Sequence, residues 1–378
     1  MSKLLPVTIF AMFMAVLSHR FSDYDPIKGE YRHKERLFYF AMSVAMILFA
    51  GLRTYYNDTY TYLVGYRQLE ADPERYRNLE GLKLGDNPGF IFLQGILLEM
   101  GASSQTFLMA FAIFTYGTYL WFFRKYSCNI WMTILMFFSI AGFTFALGAM
   151  KQCTAMAICL IATDRAINRK YIPFVVLVLL ASLIHPYALM YLIVPFLFFR
   201  PWSKYTLIML IVFGAIGFGM ESLIGTLLNV TDMLGESYNA ASFVGEGVNP
   251  LRLLTVAVPS VLAFISADQI RENNERDKYL ITNLTMLNAE IMFVALFGTA
   301  NYFARLANYF VPFQALSIPW LLKMFDQRSR KTVTLLAVIG YTLFFIYSQG
   351  INESFDACYG STTLWKYLDY LLRRALYG

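Results

Sequence analysis

The chain has 378 residues, of which 58% are hydrophobic and only 15% charged, with a formal net charge of +6. That balance excludes an ordinary soluble domain, and repeated runs of about 20 apolar residues, the length that crosses about 30 Å of hydrocarbon, mark an integral membrane protein. The surplus of cations reads as cytoplasmic loop charge and gives no reason to expect a nucleic acid partner.

In chain order, the apolar stretch 3–19 carries one lysine ahead of it and no small-residue cleavage site behind it, since His19, Arg20 and Phe21 follow. It reads as a retained helix rather than a removed signal peptide. A second apolar stretch covers 37–52, and residues 53–104 then form a long extracytoplasmic loop. Within that loop an amphipathic helix runs from Asp58 to about Glu70, with Tyr62, Leu63 and Tyr66 on one face. Asp72 to Gly85 reads as solvated loop. Gly89 to Met100 reaches only about 18 Å as a helix, so it is expected to be re-entrant or interfacial.

Apolar stretches follow at 105–123, 129–148 and 150–167. Those at 171–184 and 187–199 form a hairpin broken at His185–Pro186, because proline removes a helix donor and clashes with the preceding turn. The stretches 205–228, 251–269, 279–299, 304–323 and 332–349 complete the set. The C-terminal segment 351–378 contains an amphipathic helix over Thr362 to Leu376, expected on the outer surface. The fold class is therefore all-α: a single polytopic membrane domain, 1–378, of about 11–12 transmembrane or re-entrant helices.

With the N-terminus placed outside, the inner loops hold 19 of the 31 Lys and Arg residues, and the outer loop 229–250 holds none. This alternation follows the positive-inside rule at every inner loop. The remaining cations Arg53, Lys151, Arg252 and Arg305 fall at or near outer ends of spans, and His185 at the outer tip of the broken hairpin. Charge at membrane depth is costly, so each needs a partner or a task. The four cysteines show no paired spacing, and neither a disulfide framework nor a zinc site is implied. No internal repeat is visible.

Four stretches place polar groups beside apolar helix: "GLRTYYNDTYTY" at 51–62, "GAMKQCTAMAICLIA" at 148–162, "LASLIHPYALMYLIVP" at 180–195 and "NYFARLANYFVPFQALSIP" at 301–319. In this order they resemble the EpsG-like branch of the Wzy-type bacterial polysaccharide polymerases, which make O-antigens and exopolysaccharides. The chain departs from that pattern in two places. Lys151 stands where the family usually has Arg, keeping the charge but losing the bidentate fork, and Pro-Tyr-Ala-Leu follows His185 in place of Ser-Ala-Leu.

The resemblance implies a glycosyltransferase that moves a growing glycan from polyprenyl diphosphate onto a new lipid-linked repeat unit. It would act at an outward-facing cavity of the bacterial inner membrane, without a cofactor or metal. Its partners would be the polyprenyl-diphosphate-linked oligosaccharide, membrane lipid and a chain-length regulator. Fixed cations can stabilise a diphosphate leaving group, so Arg53, Lys151, Arg252 and Arg305 are candidate substrate-binding residues, with Gln152 as a hydrogen-bond donor. Asp58 and His185 compete as the catalytic base, and Asp58 could instead cap the helix that follows it. Tyr55, Tyr56, Tyr60 and Tyr62 offer flat faces to sugar rings or belong to an interfacial aromatic belt. Cations facing a cavity also suit a lipid-linked glycan ligase, or a flippase or other transporter of lipid-linked oligosaccharide. Against the flippase stand the clustering of charge at outer ends and the lack of repeat symmetry.

Overall fold

A computed structural model describes residues 3–25, 30–32, 35–236, 247–297, 300–352 and 355–359. The expected amphipathic helix over 362–376 lies outside the described residues. The chain begins with α1 (Leu4–Arg20) and α2 (Leu37–Gly51), joined through a short antiparallel pair, β1 (Asp23–Asp25) with β2 (Glu30–Arg32). A strand β3 (Arg53–Tyr55) leads into α3 (Thr59–Ala71), α4 (Glu74–Arg77), a 3-10 turn Leu84–Asp86 and α5 (Pro88–Glu99). The expected solvated loop thus contains two short helical turns. Arg77 and Tyr76 of α4 bind the Glu99 carboxylate at 2.7 and 2.9 Å, which ties this region to α5.

Next come α6 (Ser104–Tyr126), α7 (Ile130–Ser139), α8 (Gly142–Gly148), α9 (Met150–Ile167) and α10 (Tyr171–Ile184). A 3-10 segment, Pro186–Phe196, turns back along the bundle. The expected break at His185–Pro186 is present, with His185 in extended backbone (φ −154°). The chain then forms α11 (Lys204–Phe218), α12 (Met220–Leu234), α13 (Pro250–Ile265), α14 (Ala267–Glu272), α15 (Arg276–Val294), α16 (Ala300–Asn308), α17 (Val311–Lys323) and α18 (Gln327–Ile346). Finally β4 (Cys358–Tyr359) pairs antiparallel with β3. This pairing, which joins the stretch at 53–55 to residues 358–359, was not expected from the sequence.

Among the described residues, α6 and the helix continuing from Gln327 to Ile351 are each long and apolar enough to cross a membrane alone. Several stretches that read as single spans are broken instead, among them 251–269, which divides between α13 and α14. The α7–α8 pair bends by 54° where Ala141 adopts a left-handed backbone (φ 60°). The α11–α12 pair bends by 94° at Gly219. Residues 304–323 divide between α16 and α17.

The packing follows from a solvent that is itself apolar. Helix α10 buries Phe174, Val178 and Ala181 on one side and exposes Ile172, Val176 and Leu179 on the other, so both faces are hydrophobic. Helix α15 is buried on nearly every face and packs against α11, α13, α16 and α17. Its Asn283 amide donates to the carbonyls of Leu197 and Phe199 at 2.8 and 2.6 Å, supplying donors where the 3-10 segment ends.

At one end of the bundle, Asp164 on α9 accepts from the Lys125 ammonium and from the Tyr126 hydroxyl, the latter at 2.7 Å. Lys278 of α15 donates to the Tyr126 carbonyl at 2.8 Å. The Asp164 side chain is almost wholly buried, so its partners replace its hydration. Asp164→Ala is expected to destabilise the protein by about 2 kcal/mol, read as a lower unfolding midpoint in detergent, with Asp164→Asn between the two.

Candidate active site

At the opposite end, a cavity of about 500 Å³ is lined by residues from six separate segments of the chain. Asn57 and Asp58 enter from the turn before α3, where Asn57 takes a left-handed backbone (φ 43°). Asp58 occupies the N-cap position of α3, yet among the described residues its side chain makes no cap hydrogen bond. The Thr59 amide bonds the Tyr56 carbonyl at 2.9 Å, closing the turn before α3, and Asp58 lines the cavity. Gly148 permits this approach, since a Cβ there would lie 3.0 Å from the Asn57 amide nitrogen.

Lys151 stands on the first turn of α9 and His185 at the broken end of α10. The His185 Nδ1 shares a 2.7 Å hydrogen bond with the Tyr309 hydroxyl, so the ring is held and Nε2 is left for the cavity. Arg305, exposed, comes from α16. Gln152 lines the same wall, but its amide donates to the Arg305 carbonyl at 2.6 Å and so fixes the backbone that carries the guanidinium.

Asn87 and Glu236 are among the cavity residues not singled out from the sequence as site residues. Asn87, at the start of α5, is buried with φ 57°; its amide nitrogen donates to the Gly85 carbonyl at 2.7 Å. Its Oδ1 is buried with no hydrogen-bond partner among the described residues. Glu236 reaches the cavity from the end of α12 because two glycines let the loops touch. A Cβ on Gly85 would sit 2.3 Å from the Gly235 carbonyl oxygen, and Gly235 itself has φ 83°. The glycines were the available signal, but nothing local relates Gly85 to Gly235.

The charges are divided across the cavity. Lys151 feels the carboxylates of Glu236 and Asp58, and His185 feels the cations Lys151 and Arg305. Burial lifts the Glu236 carboxyl above its usual range; Lys151 and Arg305 oppose this and Asp86 adds to it. Among the described residues, no three His, Cys, Asp or Glu side chains cluster so as to hold a metal ion.

A second cavity, of about 470 Å³, adjoins the first, and Asn57, Phe145 and Arg305 line both. Arg252 lies in this second chamber and donates to the Asn308 side chain at 2.8 Å. Arg305 therefore stands between the two spaces.

Arg53 does not reach either cavity. It is 2% exposed, with Nη1 donating to the Ala50 carbonyl at 2.5 Å and Nε to the Thr59 hydroxyl at 3.1 Å. The expectation that it meets the substrate is replaced by a structural role. Tyr55 and Tyr60 are 44% and 64% exposed and also line neither chamber, whereas Tyr62, Tyr187 and Tyr302 line the first and Tyr56 the second. Of the four tyrosines expected to face a sugar, Tyr62 and Tyr56 thus line the chambers, joined by Tyr187 and Tyr302.

The model of the EpsG family matches residues 36–361, a span that holds every cavity residue named above. The chain belongs to the EpsG family. As an EpsG family protein it is a membrane protein of polysaccharide biosynthesis. No curated protein and no solved structure gives a significant match.

The two arginines of this EpsG family protein separate in a stability measurement. Arg53→Ala is expected to cost about 3 kcal/mol through lost packing and an orphaned carbonyl. Arg305→Ala should stay within about 0.5 kcal/mol of the parent, read as unfolding midpoints in detergent.

Proposed function

We propose that the protein is a polysaccharide polymerase that transfers a growing glycan from polyprenyl diphosphate to a lipid-linked repeat unit. The observation that carries this reading is the position of Arg305, which lines both chambers at their junction. A transfer between two bulky lipid-linked substrates needs two binding spaces and one point where they meet. The charge that develops on the leaving diphosphate needs a fixed cation at that point.

In this mechanism the donor diphosphate lies in the second chamber against Arg252 and Arg305. The acceptor sugar lies in the first, where Asn87 Oδ1 accepts from one of its hydroxyls. The Asp58 carboxylate takes the proton of the attacking hydroxyl. The acceptor oxygen bonds to the anomeric carbon, and the bond from that carbon to the diphosphate oxygen breaks. Its electron pair leaves on polyprenyl diphosphate, stabilised by the two guanidinium groups. His185 Nε2 and Lys151 hold the sugar or phosphate oxygens; Lys151 acts as a point charge rather than a fork.

The cavity would open on the outer face of the bacterial inner membrane. Arg124, Lys125, Arg165 and Arg276 lie toward the opposite end of the bundle, and an excess of basic residues marks the cytoplasmic side.

The test is a ladder assay with purified protein and lipid-linked repeat units in detergent, where transport across a bilayer has no meaning. Wild-type protein is expected to give a ladder of longer glycans. Arg305→Ala should slow it by about 100-fold to 1,000-fold, and Asp58→Asn by about 100-fold or more. Folded wild-type protein that gives no ladder would contradict the polymerase reading in favour of transport. Variants that extend at the wild-type rate would contradict the assignment of the two residues.

A further inference from the structure

The second chamber does not end at its polar wall. Thr255, Phe344 and Tyr347 line it and also line an apolar groove of about 550 Å³ between α13 and α18. The groove is walled by aliphatic side chains such as Leu254 and Val258 of α13 and Val333 and Leu336 of α18. Leu254 and Leu336 are mostly exposed, so the groove opens sideways from the bundle. Its inner side is closed by polar bonds: the Tyr341 hydroxyl and the Gln314 amide both donate to the Thr255 carbonyl, at 2.9 and 3.0 Å. Gly340 leaves room within it, since a Cβ there would meet nothing within 4 Å.

Along α13, Leu251, Leu254 and Val258 line the groove at helical spacing while Arg252 turns into the polar chamber. One continuous path therefore runs from an aliphatic track, past Arg252 and Arg305, into the cavity that holds Asp58 and Asn87. A ligand that fills this path has a hydrocarbon chain, then an anionic group, then a polar body rich in hydroxyls. We propose that the groove between α13 and α18 binds the first isoprenoid units of the donor's polyprenyl diphosphate carrier. The assignment rests on the polymerase reading for its third part, the glycan. A phospholipid supplies the chain and the phosphate but leaves the first cavity unfilled.

A diazirine-bearing polyprenyl diphosphate without sugar tests this in detergent-solubilised full-length protein. Light should crosslink it to peptides containing Val258 and Ala337, and unlabelled polyprenyl diphosphate should displace it. Gly340→Trp, which fills the groove, should reduce labelling by about ten-fold or more and raise KM for the lipid-linked donor. Leu335→Trp, an exposed α18 position that does not line the groove, should change neither.

A diazirine phosphatidylglycerol run in parallel decides the source of the lipid. Equal labelling of the same peptides by it, undiminished by polyprenyl diphosphate, would overturn the proposal. Full labelling in Gly340→Trp, or a wild-type crosslink map lacking both helices, would do the same, and the wild-type map decides even if the variant does not fold. Because labelling needs neither glycan nor turnover, labelling without a ladder sinks the polymerase reading and leaves the groove. A ladder without labelling of α13 and α18 does the reverse.

Discussion

The buried guanidinium of Arg53 fixes the turn from which the site is built. A cation with 2% exposure at the end of α2 needs hydrogen-bond acceptors in place of water, and Arg53 donates to the Ala50 carbonyl and the Thr59 hydroxyl. The same helix end receives the Gln105 amide, which donates to the Gly51 carbonyl at 2.6 Å, so side chains replace water at the last carbonyls of α2. Thr59 in turn donates to the Tyr56 carbonyl at 2.6 Å. These bonds hold Asn57 in its left-handed conformation and leave Asp58 facing the cavity rather than capping its own helix. The pairing of β3 with β4 adds a strand from the end of the described chain to the same turn.

Around this turn the helices are broken where the cavities need wall rather than span. The α10 break at His185, the α7–α8 bend at Ala141, the α11–α12 bend at Gly219 and the division between α16 and α17 each free backbone groups that lipid could not satisfy. Tertiary partners satisfy several of them. The Tyr191 hydroxyl donates to the Tyr309 carbonyl at 2.7 Å, and Tyr309 then holds His185, so one pair of tyrosines serves both the broken helix and the site. The opposite end of the bundle is organised around the Asp164 network, which locks α6, α9 and α15 together.

Much of this was legible in the sequence wherever the signal was local. Apolar length located the helices, and Pro186 located the break. Lys151, His185, Arg305 and Asp58 fall in one cavity, as their shared end of the bundle suggested. Arg53 was misplaced because a cation at a helix end has the same sequence signature whether it points outward or turns into the core. Glu236 was overlooked because its place depends on a contact between Gly85 and Gly235, far apart in the chain. The bends at Ala141 and Gly219 were hidden because an apolar run of sufficient length says nothing about whether it stays straight.

The account depends on Arg305 standing where donor and acceptor meet, with an aliphatic track on one side and a carboxylate-lined cavity on the other. The most direct measurement is an electron cryomicroscopy map of the protein bound to a lipid-linked repeat unit whose anomeric oxygen is replaced by a methylene group, giving an uncleavable phosphonate. The account predicts phosphonate density between Arg252 and Arg305, tail density between α13 and α18, and glycan density toward Asp58. Phosphonate density distant from Arg305, or a tail leaving the bundle between other helices, would contradict it.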